Sequence, residues 1–396
     1  MSRVFGYPGH ELLVEDIVRA EDCYLYDARG KRYVDLESGV WCTSVGHGNG
    51  RVRRVMAEQA EKLTHAGFCW TSPIVKEAAE EALALVGMEG GAAVFLCSGS
   101  EAIEYGMRVA QAIAGPGAVF LTLADSYFGA YGSAQARRVD EWVTLDWLGC
   151  ATCREQPDRC EHWGALPWDR IAGFLFEPGS SSGLVRFPPA PLVERIVAEV
   201  RSRGGLVMVN EVTTGVGRTG RWFGYQHYGI APDVVAIGKG IGNGYPVSIA
   251  TFARAVAERL EEKLGSEPIR YAQSHQNDPL GAAVAREVIR IVRDERLVER
   301  AERLGRTFAA GLEGVKERTG RIAEIRARGL MIGVELAGDD GLARITRVHR
   351  ELVRRGYVVG RRPGVNVLRI DPPLTVAEAD LDGFAGTLEE VLREAR

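Results

Sequence analysis

The chain of 396 residues reads as an α/β protein. It combines a large domain built on a mainly parallel sheet with a smaller α+β domain drawn from both termini. Three observations predict this. From about residue 51 to 280, short apolar runs alternate with helical patterns, as expected for strands covered on both faces. Polar residues gather where those runs end, the side on which such sheets bind ligands. Beyond about 281 a long helical stretch gives way to shorter mixed elements, with no repeats and no low-complexity linker.

The elements follow in order. An irregular lead precedes a hairpin, residues 23–28 and 31–36, and then a Gly-rich loop ending Gly46-His47-Gly48. Val94-Phe95-Leu96-Cys97 reads as a strand before a helix from Ser100, and Ala118-Val119-Phe120-Leu121 as the next strand. Gly173-Phe174-Leu175-Phe176, a helix over 191–203, Leu206-Val207-Met208-Val209, Val234-Val235-Ala236-Ile237 and Val247-Ser248-Ile249-Ala250 continue the alternation. One helical stretch over 281–318 leads to strands near 321–325 and 330–336, a helix near 342–355, the strand Val367-Leu368-Arg369-Ile370 and a closing helix. The expected units are 1–50 and 281–396 for the small domain and 51–280 for the large one.

A hydrophobic fraction of 46%, a charged fraction of 26% and a net charge of −4 exclude a nucleic-acid binder or a disordered chain. No apolar run spans a membrane. The first eight residues lack a signal-peptide core, so a cytoplasmic location is expected. Seven cysteines argue against a disulfide framework.

Of 49 basic residues only six are lysine. Lys31 lies in a turn, while Lys62, Lys76, Lys263 and Lys316 have helical glutamate neighbours. Lys239 instead ends an apolar run between Gly238 and Gly240. Desolvation there lowers an amine's pKa and frees the neutral nucleophile, as a Schiff-base lysine requires. Cys97-Ser98-Gly99-Ser100-Glu101 stands where a strand becomes a helix. Its free amides suit an anion, although a plain helix cap is the simpler account of this segment alone. Gly215, Gly217 and Gly220 satisfy G-x-G-x-x-G, but the residues after them do not read as a helix and no acidic strand end follows, which argues against a dinucleotide fold.

Taken in order, Gly46-His47-Gly48, Ser98-Gly99-Ser100-Glu101-Ala102, Glu177-Pro178, Glu211-Val212 with the Thr214–Gly220 segment, Gly238-Lys239-Gly240, Arg328-Gly329 and Arg369 before Pro372-Pro373 resemble the class III pyridoxal-phosphate aminotransferases, almost end to end. These include ornithine, acetylornithine and 4-aminobutyrate aminotransferases. The resemblance implies the fold-type I architecture and pyridoxal 5′-phosphate as cofactor. It implies an amino donor (an amino acid or an ω-amine) and a keto-acid acceptor, and a homodimer with shared active sites. Lys239 would carry the cofactor as a Schiff base and then act as acid–base. Ser98, Gly99 and Ser100 would hold the phosphate, and Tyr127 would stack on the ring. Ser274 would reach the phosphate of the neighbouring subunit, and Trp41 and Arg369 would contact substrate. Cys42, Cys69 and Trp70 would line the substrate pocket or pack beneath it. An aminomutase or epimerase of the same fold is the alternative, ahead of a binding protein without turnover.

Two ring contacts depart from the family. Asn210 stands where an aspartate is usual, and Thr213 where a glutamine is. A neutral amide holds a ring proton less strongly than a carboxylate, which weakens the ring as an electron sink. Where the ornithine enzymes carry an arginine for the substrate's α-carboxylate this chain has Ala130, and where they carry a glutamate that masks a second arginine it has Ser182. Arg369 is therefore expected to be unmasked and to grip a carboxylate. Cys150-x2-Cys153-x6-Cys160-x-His162 has spacing that suits zinc. Reduced thiols in a surface insertion are the preferred reading, so no metal is expected.

Overall fold

The computed structural model describes residues 4–7, 9–264, 269, 271–338 and 341–394. Residues 1–3 and 8 of the N-terminal segment, and the outer limits of the two terminal units, lie outside the described residues.

Near the N-terminus, β1 (Ile17–Glu21), β2 (Tyr24–Asp27) and β3 (Arg32–Asp35) form an antiparallel meander. The central sheet holds β4 (Ala92–Leu96), β5 (Val119–Leu123), β6 (Trp142–Leu145), β7 (Ile171–Phe176), β8 (Leu206–Asn210), β9 (Val234–Ile237) and β10 (Ser248–Phe252). Their spatial order is β4-β10-β9-β8-β7-β5-β6. Only β10 runs against its neighbours, so the C-terminal ends of the other six share one edge. Every residue of β8, β9 and β10 is buried, which explains their mainly apolar sequences, broken only by Asn210, Ser248 and Thr251.

The connection from β9 to β10 is a tight return rather than a crossover helix. It starts at Gly238, turns through Lys239–Gly242 and is pinned by Asn243. The Asn243 side chain accepts from Val45 N at 3.0 Å and donates to Gly46 O at 2.9 Å.

The C-terminal part adds β11 (Ile322–Arg328), β12 (Met331–Leu336), β13 (Tyr357–Val358), β14 (Gly360–Arg361) and β15 (Val367–Ile370). β11, β12, β15 and β14 form a second sheet, while β13 pairs with β3 and so ties the N-terminal meander to the C-terminal elements. The single helix expected over 281–318 is two, Pro279–Asp294 and Leu297–Thr319. Arg296 between them is left-handed at φ 52°, a break that no Gly or Pro announces. The strand Trp142–Leu145 was not anticipated either.

Candidate active site

Six strand ends facing one way put a cavity of about 460 Å³ on that edge. One side is the start of helix Gly99–Ala114. Ser98 caps it: its Oγ accepts from Glu101 N at 3.3 Å, and the Glu101 carboxylate accepts from Cys97 N at 2.7 Å and Ser98 N at 2.8 Å. The hydroxyl of Ser98 thus serves the helix. Gly99 and Ser100 N–H groups have no acceptor among the described residues and line the cavity, as an anion site requires. A Cβ on Gly99 would meet Val212 Cγ1 at 2.7 Å, so the helix start can lie this close only as glycine.

Lys239 lies at the far side, on β9's end, with φ 47° in the left-handed region that branched and bulky residues avoid. Burial holds its ammonium below the ordinary lysine value; Cys42 and Glu177 oppose that and Arg369 adds to it. Beneath it lies the Trp41 ring, 5.4 Å from Nζ, with the Arg369 guanidinium 3.9 Å from the same ring's centroid. Trp41 is buried and packs under the cavity rather than lining it. It belongs to a left-handed run, Ser38, Gly39, Val40 and Trp41 at φ 46°, 56°, 60° and 64°. Such a turn costs about 1–2 kcal/mol per non-glycine residue. Ser38 anchors it, donating to Asp371 O at 2.5 Å and accepting from the buried Arg218 at 3.2 Å.

Between these sides the wall is a side-chain network. Asn210 Nδ2 donates to Tyr127 O at 2.9 Å and Glu177 Oε1 at 3.2 Å, while Oδ1 accepts from Val212 N at 3.1 Å. Glu177 also accepts from Tyr127 N at 2.8 Å, Ser181 Oγ at 2.7 Å and Ser181 N at 3.4 Å. Burial pushes its carboxyl up to about 7 against these donors. Thr213 Oγ1 is buried with no hydrogen-bond partner, a polar atom left over in a packed wall. Tyr127 lines the cavity and is 42% exposed, which leaves a ring face free.

These residues fit pyridoxal phosphate. Free helix-start amides suit its phosphate, the orphaned Thr213 hydroxyl suits a ring substituent, and a desolvated amine suits its aldehyde.

Arg369 is not unmasked. Glu37 Oε1 lies 3.0 Å from its Nη2 and Asp371 Oδ2 lies 3.8 Å from Nε, and the side chain is only 9% exposed. Glu37 takes up the guanidinium that Ser182 cannot. Ser274 is exposed and outside the cavity, as are Cys69 and Trp70, whereas Cys42 lines it. The sequence reading missed Glu37 and gave Glu177 no role. Only Glu177 carried a signal, as an acid at the end of an apolar run. His47 pairs with Asp35 at 2.8 Å and His227 bonds Thr219 O at 3.1 Å, so both serve packing.

The sequence matches the family model described as Aminotransferase class-III over residues 6–129 and 146–392. It is 30% identical to taurine–pyruvate aminotransferase of Rhodobacter capsulatus, covering 93% of this chain and 89% of that protein. It is 29% identical to leucine/methionine racemase of Thermococcus litoralis, covering 95% and 90%. Among solved structures, an amine transaminase from an uncultivated Pseudomonas species in its PLP-bound form superposes with TM-score 0.86 at 26% identity, covering 100% and 98%.

Proposed function

The chain belongs to the class III aminotransferases, pyridoxal-phosphate enzymes of the α/β fold, and we propose how its own residues divide the work. One observation carries the reading: a desolvated lysine faces unpaired helix-start amides across one cavity. The bound cofactor supplies an aldehyde for the amine and a ring that takes up the electron pair released at the substrate's Cα.

Lys239 holds the cofactor through its neutral amine and, once displaced, carries the proton to and from the substrate's Cα. Gly99 and Ser100 hold the phosphate by backbone N–H, with Ser98 keeping the helix start in place. Tyr127 covers one ring face, and Thr213 Oγ1 pairs with a ring substituent. Asn210 has both N–H donors engaged, so a lone pair of Oδ1 is all it can offer a ring nitrogen. An acceptor there suits a nitrogen that carries its proton. Glu177, behind it, fixes that orientation.

Lys239 is the one cation among the described cavity-lining residues. A substrate carboxylate must draw Arg369 away from Glu37, so we assign the resting cavity to an amine or ω-amino donor and the opened arginine to the keto-acid acceptor. The similarity to taurine–pyruvate aminotransferase supports this direction. Exposed Phe68 and Trp70, 72% and 77%, and exposed Ser274 support a homodimer that completes each cavity. Seven free cysteines support a cytoplasmic location; among the described residues no helix is long and apolar enough to cross a membrane.

A panel of amines, scored by loss of the bound cofactor's absorbance with and without keto acid, tests the reading. Turnover that stalls without acceptor supports it. Turnover that continues without acceptor favours an epimerase, a reading supported by the relative of Thermococcus litoralis and by Asn210.

A further inference from the structure

Between β6 and β7 the chain makes three turns too short to persist alone, Ala151–Glu155, Pro157–Arg159 and Glu161–Gly164. Cys150 caps the first, Cys153 lies inside it, Cys160 joins the second to the third, and His162 sits in the third. Their ligand atoms converge. Cys150 Sγ lies 3.6 Å from Cys160 Sγ, Cys153 Sγ lies 3.0 Å from Cys160 Sγ, and His162 Nδ1 lies 3.2 Å from Cys153 Sγ. All four lie within 4.8 Å of one another. A tetrahedral ion with metal–sulfur bonds of about 2.3 Å sets its sulfurs roughly 3.8 Å apart, which is the size of this cluster.

We propose that Cys150, Cys153, Cys160 and His162 bind one structural zinc ion. Spacing alone left reduced thiols as the simpler account; convergence from three separate turns does not follow from spacing. Among the described residues, no arginine or lysine donates a hydrogen bond to these sulfurs. The nearby guanidinium groups of Arg154 and Arg195 lie over the rings of Trp147 and Trp163, at 5.3 and 4.9 Å. Soft sulfur donors with one imidazole select zinc over magnesium or calcium, and four protein ligands leave no open position for catalysis. Binding releases the three thiol protons to solvent and involves no redox step.

The ion would act on the fold. Cys153, Cys160, Trp163 and Leu166 pack into the main core, and the segment follows β6, an edge strand of the central sheet. Asp158 ties it to helix Ala190–Ser202 through Arg195 at 2.5 Å. None of the four ligands lines the cofactor cavity.

The test is metal analysis of the holoenzyme purified without chelator or added metal. About one zinc per chain is expected. Cys160→Ser should lower zinc content at least about tenfold while cofactor absorbance persists. Should that variant fail to fold, chelation of the unaltered protein decides: Tm should fall and recover on adding zinc alone. A protein holding less than about a tenth of a zinc per chain, and taking up none when reduced, overturns the proposal. So does a Cys153–Cys160 disulfide found by mass spectrometry of the untreated protein.

Discussion

Where helix Gly99–Ala114 begins, the cavity wall is backbone; where β7 and β8 end, it is a network of side chains. The helix start offers amides fixed by the fold, and of the sequence it demands only the bare Gly99 and the Ser98–Glu101 cap. The strand-end wall depends on which atoms Asn210, Glu177 and Thr213 present. A backbone site survives drift in side chains, whereas one amide-for-carboxylate exchange resets the other wall. By the resemblance read from the sequence, the first is expected to keep the family's pattern and the second to depart from it.

Lys239→Ala should break both halves at once. Turnover is expected to fall by about 10²–10⁴-fold, and borohydride should no longer fix the cofactor to the protein. Full covalent labelling of this variant would remove the lysine from the chemistry.

Asn210→Asp sharpens the contrast. It places a carboxylate about 3.2 Å from Glu177, and two acids so close share a proton. The cofactor spectrum should become pH-dependent near neutrality and kcat should change on the order of tenfold. An unchanged spectrum and rate would show that the strand-end wall does not govern the ring.

Glu177→Gln tests the same wall through stability. Burial raises the folded carboxyl to about 7 from about 4.5. Between those values the folded protein holds a proton that the unfolded chain has lost, so stability falls as pH rises and levels off above 7. The glutamine variant should show a shallower loss of Tm across that window. Some slope remains, because burial raises Glu211 to about 7 as well.

Glu37→Gln should loosen Arg369 and lower KM for keto acids several-fold, with little change for amines that lack a carboxylate; Arg369→Ala should raise KM for the acids. Ser98→Ala is the mildest: loss of the cap should cost about 1 kcal/mol, read as a lower Tm with the cofactor still bound.

The same contrast explains what could be read from sequence. Apolar runs betray strands buried on both faces, so β4, β5, β7, β8, β9 and β10 were visible. Trp142–Leu145 was not, because an edge strand with Thr144 exposed carries a weaker pattern. The two helices merged because Arg296 adopts a conformation usually left to glycine. Helix-start and strand-end motifs are local and legible. Glu37 and Arg369 are 332 positions apart, and no local pattern announces their pairing. The three cysteines and His162 were legible as spacing, while their convergence depends on how three turns stack.

The reversal of β10 has a mechanical consequence. A crossover would have hung the reactive amine on a long connection; an immediate return leaves it on a hairpin clamped by Asn243 to Val45 and Gly46. The main chain at that point has little room to travel, so any swing of the nitrogen between ring and substrate falls to four methylenes. Lengthening this loop by even one residue would detune the nitrogen's reach without disturbing a single cofactor contact.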